Sequence, residues 1–329
     1  MTQRVCVIGG ATWDVFFTTT QADLIKDGRR DAKPVLAFPY GGKVDAADIM
    51  YGFGGGAANV AIGLANLGVR ADIVTRIGQD WRGAEIIKNL HRVGVGTKQV
   101  QKDRQEKTAL AFIVTAGQGR DHVAFVARGA SANLNTPSKL SNRYQWCYFT
   151  AITAKNWYVR LEKLFGSFSR QGGKIFWNPG AVQLAQPRKL VSLLPYVTVL
   201  DVNKDEATLL LDKLRRKHTQ SVSSLIMSLR ALGPKLVLVT CGNKGAYLAD
   251  SKQIRYQPVY NVKSINTTGA GDAFGSGFLA GYITSGSNLK VAMQWGMLNS
   301  NAVIMQVGAQ KGLLNLRTVS NFQSTYDRT

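Results

Sequence analysis

The chain has 329 residues, 45% hydrophobic and 19% charged, which supplies enough apolar side chain for a sizeable core and argues against global disorder. Lys and Arg number 41 against 20 Asp and Glu, a net charge of +21, but the basic clusters are small and scattered, which speaks against a dedicated nucleic-acid-binding tail. No run reaches the ~18 uncharged apolar residues of a membrane span, no secretory signature opens the chain, and Cys6, Cys147 and Cys241 sit singly in apolar segments; a cytoplasmic protein without membrane contact is expected.

In chain order, Val5–Ile8 reads as a first buried strand ending at Gly9-Gly10. Val15–Asp48 holds two β-rich runs, Phe16–Thr19 and Val35–Phe38, around the charged turn 26–31, and reads as a hairpin. Ala57–Leu67 reads as a small-residue helix, Ala71–Ile77 as a strand and Trp81–Val93 as a helix. Thr108–Ala127 makes a second hairpin around Gly117-Gln118-Gly119-Arg120. Apolar runs at Trp146–Phe149, Lys174–Trp177, Val197–Val202 and Lys235–Cys241 then alternate with amphipathic segments Val159–Phe168, Asp205–Lys217 and Val222–Leu232. Thr268–Ile283 and Leu289–Val307 close the chain as two helices. The alternation predicts a parallel sheet covered on both faces. One domain over residues 1–329 is expected, with the two hairpins (about 15–50 and 108–127) forming a small second sheet.

Two segments carry chemistry. In Asn266-Thr267-Thr268-Gly269-Ala270-Gly271-Asp272-Ala273-Phe274, small residues lead into an Asp that starts an apolar helix. Free N–H groups at a helix N-terminus bind anions, and glycines let the anion approach the backbone. An Asp in the same turn can take the proton of a hydroxyl held beside that anion, the combination phosphoryl transfer requires. A capped turn is the plainer reading of the same residues. In Gly52-Phe53-Gly54-Gly55-Gly56-Ala57-Ala58-Asn59, bare backbone again precedes a helix, with Asn59 in its first turn. Gly52, Gly54 and Ala57 also fit a loose dinucleotide fingerprint with Asp72 at the ribose, but Asp45–Met50 makes a poor buried strand to precede it. The P-loop glycine and lysine pattern is absent, so kinase chemistry here would be of another kind.

Together the two segments resemble the paired signatures of the ribokinase-like (phosphofructokinase-B, PfkB) carbohydrate kinases, and landmarks between them follow that family's order. Gly9-Gly10-Ala11-Thr12-Trp13-Asp14 looks like the turn after the first strand, whose Asp binds substrate hydroxyls. Arg128-Gly129-Ala130 with Asn133-Leu134 is similar to the family's Gly-Ala-Asn stretch. Asn203-Lys204-Asp205-Glu206 resembles its Asn-x-x-Glu, and Thr240-Cys241-Gly242-Asn243-Lys244-Gly245 its nucleotide border. Gly308-Ala309 looks like the closing loop near a monovalent cation.

The resemblance spans nearly the whole chain. It implies a ribokinase-like three-layer α/β/α sandwich with a mostly parallel sheet and a β-sheet lid, which in the family often makes a homodimer contact. It implies ATP- and Mg2+-dependent phosphorylation of a sugar hydroxymethyl group, with ribose first and fructose also in view, and a nucleoside as the alternative acceptor. By that resemblance Asp272 is the catalytic base, and Gly269, Ala270 and Gly271 form the backbone anion hole. Asp14, Gly55, Gly56 and Asn59 hold the acceptor. Asn203, Thr240, Gly242 and Gly245 line the nucleotide, and Glu206 acts on Mg2+ through water. Asn203 and Glu206 also have the spacing of a helix capping box.

Two departures stand out. The first Asp of the family's C-terminal signature is Asn266 here, which weakens the case for K+ as a second cation. Asp14 and Gly55 lie 41 positions apart, a spacing closer to the longer lids of nucleoside kinases. A non-catalytic RNA- or assembly-binding relative is the distant alternative, and the intact Asp272, glycine loop and Asn203/Glu206 pair argue against it.

Overall fold

The computed structural model describes residues 3–25, 35–116 and 122–326. The first part contains β1 (Arg4–Ile8), β2 (Thr12–Thr19), β3 (Asp23–Ile25), β4 (Val35–Ala37), β5 (Asp48–Gly54), α1 (Gly56–Asn66), β6 (Arg70–Val74) and β7 (Arg76–Gly78). There follow α2 (Trp81–Arg92), β8 (Gln101–Asp103), β9 (Leu110–Ala116), β10 (Val123–Ala127), β11 (Trp146–Phe149), α3 (Trp157–Arg170) and β12 (Lys174–Trp177). Next come α4 (Ala181–Leu184), α5 (Pro187–Leu193), β13 (Val199–Asn203), α6 (Lys204–Lys213), α7 (Val222–Arg230) and β14 (Leu236–Thr240). The chain closes with β15 (Ala246–Ala249), β16 (Ile254–Gln257), α8 (Ala270–Thr284), α9 (Leu289–Ile304) and α10 (Leu316–Tyr326).

Eight strands form the main sheet in the order β16-β15-β14-β13-β12-β11-β1-β6. All neighbours from β14 to β6 pair in parallel, and β15 and β16 extend one edge antiparallel. Alternate strand residues face two separate cores. Val5, Val7, Trp146, Tyr148 and Phe176 pack with α1, α8 and α9, while Cys6, Ile8, Cys147, Phe149 and Trp177 pack with α3, α5, α6 and α7. The result is the expected α/β/α sandwich. Strand order reverses between β1 and β11, because the chain leaves β1 for β6 on one side and later fills the other side from β11 onward. Connections diverge at such a point and open a crevice at the carboxyl ends of the strands.

A second sheet of four strands, in the order β10-β9-β2-β5, is joined to the main one where β2 follows β1 and where β5 leads into α1. It is the small sheet expected from the two β-rich regions, but its first half is paired differently. Phe16–Thr18 pairs with Asp48–Met50 and, in parallel, with Ile113–Thr115. Val35–Ala37 pairs instead with Asp23–Ile25. Burial explains the choice: Phe16 packs against Ala111, Ile113 and Met50, whereas Leu24, Ile25 and Val35 stay exposed on their own hairpin. The turns at 26–31 and 117–120 lie outside the described residues. The hairpin expected at Thr108–Ala127 is present as β9 and β10.

Other boundaries moved. The strand predicted over Ala71–Ile77 is two: β6 stays in the main sheet, and β7 leaves it after Thr75 to pair with β8. Asp14 belongs to β2 rather than to the preceding turn. The glycine run begins inside β5, a lid strand, so the dinucleotide fingerprint loses the buried strand it needs. The helix predicted to residue 217 stops at Lys213, and Arg215 turns the chain away with φ 54°. The antiparallel pair β15–β16 and the helices α4, α5 and α10 had no counterpart in the sequence reading. Among the described residues no helix is long and apolar enough to cross a membrane.

Candidate active site

β2 carries Asp14 from the end of β1 into the lid, and β5 delivers Gly55 and Gly56 to the start of α1. Asp14 is 3% exposed, and its Oδ1 accepts a hydrogen bond from the Thr12 hydroxyl at 2.6 Å. Its Oδ2 occupies the place a side chain at residue 54 would need: a Cβ on Gly54 would stand 2.0 Å away. Glycine at 54 is therefore what lets the carboxylate sit here. Burial raises the Asp14 carboxyl to about 6; the Thr12 bond opposes that rise and the neighbouring charge of Asp272 adds to it.

Gly269 caps the 15-residue helix α8 in the left-handed conformation, at φ 81°. A Cβ there would meet that of Ala309 at 2.6 Å, so both the backbone angle and the space demand glycine. The Ala270 N–H bonds to the Thr267 carbonyl and the Ala273 N–H to that of Gly269. Between them, among the described residues, the N–H groups of Gly271 and Asp272 have no backbone acceptor, as expected of a helix N-terminus. The Thr268 hydroxyl is buried beside them without a hydrogen-bond partner. Such a set of unused donors fits a phosphoryl group. Asn266 is buried, and its side-chain carbonyl accepts from the Thr268 N–H at 2.9 Å, which pins the loop.

Asp272 lies in the first turn of α8, half-buried. Its Oδ2 accepts from Asn59 Nδ2 at 2.8 Å, and Asn59 Oδ1 accepts from Gln310 Nε2 at 2.9 Å. Its Oδ1 faces Gly56, where a Cβ would stand 3.2 Å from it. Burial raises the Asp272 carboxyl and the Asn59 amide works against that rise. Tyr148 and Asp201, both buried, are close enough to feel the Asp272 charge, and burial holds each well above its ordinary range. Beside these groups the lid and the loop after α9 enclose a cavity of about 200 Å³, lined in part by Phe16, Met50, Asn89, Arg92, Gln310 and Lys311.

On the other side of the loop, β13 and β14 place Asn203 opposite Thr240. Asn203, Thr240 and Gly242 line one cavity of about 350 Å³ together with Lys204, Lys244 and Tyr247. Gly245 follows at the turn into β15, its carbonyl accepting from the Cys241 N–H at 2.8 Å. Two lysines and the backbone of a tight turn suit a polyphosphate. The capping-box reading is realised: Asn203 Oδ1 accepts from the Glu206 N–H, and Glu206 Oε2 from the Asn203 N–H, each at 2.9 Å. One carboxylate oxygen of Glu206 thus remains for another partner. Burial raises the Glu206 carboxyl and the Asn203 N–H opposes it. Among the described residues no group of three or more His, Cys, Asp or Glu could hold a metal. Mg2+ needs no such cage, since it commonly keeps several waters and takes one carboxylate plus phosphate oxygens. Glu206, next to Asp205 of the cavity lining and with one carboxylate oxygen unused, fits that pattern.

The structure thus gathers the residues of the sequence reading into two adjoining places: Asp14, Gly55, Gly56, Asn59 and Gly269–Asp272 in one, Asn203, Glu206, Thr240, Gly242 and Gly245 in the other. The sequence reading missed Thr12, Asn89, Gln310 and the two lysines. Asn89 had left a signal: it interrupts the apolar stripe Ile86 and Leu90 on the buried face of α2. Gln310 directly follows the Gly308-Ala309 landmark.

A family model described as pfkB family carbohydrate kinase matches residues 20–315. A ribokinase of Staphylococcus aureus is 27% identical over 324 residues, covering 97% of this chain and 99% of that protein. The solved structure of an Arabidopsis thaliana ribokinase complexed with ribose and ATP has a TM-score of 0.77 at 19% identity, covering 98% of both chains. That of a Burkholderia thailandensis nucleoside kinase in complex with inosine has a TM-score of 0.79 at 19% identity, covering 98% of this chain and 99% of the other.

Proposed function

The chain belongs to the PfkB family of carbohydrate kinases, and on that premise we propose that it transfers the γ-phosphoryl group of ATP to a hydroxymethyl group of a sugar, with ribose as the first acceptor to test. One observation carries the reading: a half-buried Asp272 has one carboxylate oxygen tied to Asn59 and the other facing Gly56, at the N-terminus of a helix with unused N–H donors.

In this reading Asp14 accepts hydrogen bonds from acceptor hydroxyls, and the backbone of Gly55 and Gly56 borders the same space. Asn59 keeps one N–H for the acceptor after bonding Asp272. Asp272 Oδ1 takes the proton of the attacking hydroxyl as its oxygen bonds to phosphorus and the bond to the β-phosphate oxygen breaks. The Gly269–Gly271 segment and the α8 N-terminus hold the charge on the phosphoryl oxygens. Asn203, Thr240, Gly242 and Gly245 border the nucleotide, and Glu206 Oε1 would hold Mg2+ through water. When bound, that ion supplies charge neutralisation between the phosphates. The lid sheet covers the acceptor and keeps out water, which competes as phosphoryl acceptor. A homodimer contact through the lid belongs to the same proposal, because Val123, Phe125 and Val126 on β10 are exposed.

A nucleoside is the second reading. The observation favouring it is the hairpin β3–β4, inserted between Asp14 and Gly55, which enlarges the lid region toward what a bulkier acceptor requires. ATP consumption across ribose, fructose, adenosine, cytidine and fructose phosphates tests both readings. Turnover with nucleosides alone would remove ribose, and no turnover with any of them would remove the sugar-kinase reading of this panel.

A further inference from the structure

Four hydrogen bonds run in series from the surface to Asp272. Arg92 Nη2 donates to Asn89 Oδ1 at 2.8 Å, and Asn89 Nδ2 to Gln310 Oε1 at 2.8 Å. Gln310 Nε2 donates to Asn59 Oδ1 at 2.9 Å, and Asn59 Nδ2 to Asp272 Oδ2 at 2.8 Å. The series joins α2, the loop after α9, α1 and α8. Its two ends fix its direction. A guanidinium only donates and an ionised carboxylate only accepts, so each amide between them must turn its oxygen toward Arg92 and its nitrogen toward Asp272. Asn89 and Asn59 are 7% and 3% exposed, so little of either amide is open to water, while Arg92, Gln310 and the edge of Asn89 border the cavity beside the lid. Hydrogen bonds aligned in this way polarise one another.

The surroundings of Asp272 give the series its importance. The titratable groups that face it are Asp14 from β2, Tyr148 from β11 and Asp201 from β13, none of them cationic. Among the described residues no Lys, Arg or His is ion-paired with Asp272. Positive potential therefore reaches the carboxylate from the oriented amides and the α8 N-terminus.

We propose that Asn89 and Gln310 are positioning residues of this site: with Arg92 they lock the Asn59 amide with its nitrogen toward Asp272, which keeps the carboxylate ionised and leaves Oδ1 for the acceptor hydroxyl. The base role of Asp272 rests on the kinase reading above; the locked orientation does not.

The test inverts the series from a distance. Asn89→Asp keeps the acceptor for Arg92 but cannot donate to Gln310. Gln310 must then turn over, Asn59 follows, and an amide oxygen faces Asp272. Gln310→Met cuts the series without adding charge. Carboxyl 13C NMR of the full-length protein, with Asp272→Asn as the assignment control, reads the Asp272 titration in the wild type, both single variants and the double variant. The midpoint should rise by about one pH unit in Asn89→Asp, a tenfold smaller ionised-to-neutral ratio, and by less in Gln310→Met. In the Gln310→Met background, Asn89→Asp should add nothing. A shift that persists there would mean charge acting through space, and no shift in either single variant would remove the proposal outright. Should Asn89→Asp fail to fold, Gln310→Glu at a half-buried position performs the same inversion from nearer, and an unmoved midpoint there would equally overturn the idea. In turnover assays the acid limb of kcat should move with the NMR midpoint while KM for ATP stays. Absence of turnover in the wild type, with the NMR shifts intact, would fault the kinase reading and leave the locked orientation standing.

Discussion

Asn59 and Asp272 are 213 positions apart in sequence and meet through one hydrogen bond of 2.8 Å. They meet because α1 and α8 lie in the same helical layer, against the same face of the main sheet, with their N-termini at the same crevice. Each helix is led in by glycines, and each contributes one polar side chain from its first turn. Under the proposed function the Asp272 carboxylate is the proton acceptor and the Asn59 amide orients it.

Replacing that proton acceptor is the most direct check. Asp272→Asn should lower kcat with the preferred acceptor by roughly 10²-fold or more, the usual scale for losing a general base. ATP affinity should stay near wild type, and stability at neutral pH should not fall, because burial disfavours the charge that the substitution removes. Retained turnover in coupled-assay measurements would remove Asp272 from its role.

Asp14 should make stability depend on pH. Its carboxyl is raised in the fold from 3.8 to about 6, so the folded chain binds more protons than the unfolded chain between those values. Stability on this account is highest below the lower value, falls as pH rises through the higher one, and stays reduced above it. Asn at this position carries no charge, so Asp14→Asn should exceed the wild type by about 2–3 kcal/mol at about pH 7.5 and lose that advantage at about pH 4. Urea unfolding at the two pH values measures it. The same substitution should raise KM for the acceptor, since it removes a hydroxyl-binding charge.

Gly54→Ala tests the placement of that carboxylate. The added Cβ would stand 2.0 Å from Asp14 Oδ2, and the side chain must move. KM for the acceptor should rise about tenfold or more, the scale of one lost charged hydrogen bond, with KM for ATP unchanged. Equal rises in both constants would point to a general loss of structure.

Gly269→Ala meets two penalties at once, the left-handed angle of 81° and a contact of 2.6 Å with Ala309. A loss of about 1–3 kcal/mol in stability is expected, together with a fall in kcat because the N–H donors move. Thermal unfolding beside single-turnover phosphorylation reports both.

Asn203 separates capping from nucleotide binding. Asn203→Ala removes the cap of α6 and should cost about 1 kcal/mol, whereas Asn203→Ser keeps an acceptor for the Glu206 N–H and should cost little. A higher KM for ATP in both variants would place the amide at the nucleotide. A higher KM in Asn203→Ala alone would leave it a cap.

Much of this molecule could be read locally. β1, β11, β12 and β14 are near-continuous apolar runs because both faces of a parallel sheet are buried, and β13 keeps the same signature around its buried Asp201. The glycine-led start of α8 is equally local, since glycine, alanine and Asp stand consecutively. Asn203 and Glu206 carry their capping geometry in a spacing of three.

Other parts had no such signature. β15 and β16 add antiparallel strands to an otherwise parallel sheet, and strands of four residues are too short to show a clear period in sequence. The partner of Phe16 could not be read from its neighbours. Val35 is nearer in sequence, but Met50, Ala111 and Ile113 bury the ring, and burial outweighs a short loop. Arg92, Asn89, Gln310 and Asn59 come from three separate segments, and nothing local to any of them announces the others.

Most strands and helices, and the turns whose N–H groups stay bare, are written locally, because hydrophobic period and glycine content act within a few residues of where they stand. Tertiary structure alone decided which strands face one another in the lid, which way the Asn59 amide points, and which oxygen of Asp272 is left free. Those outcomes depend on burial and hydrogen bonding between groups brought together only when the layers close.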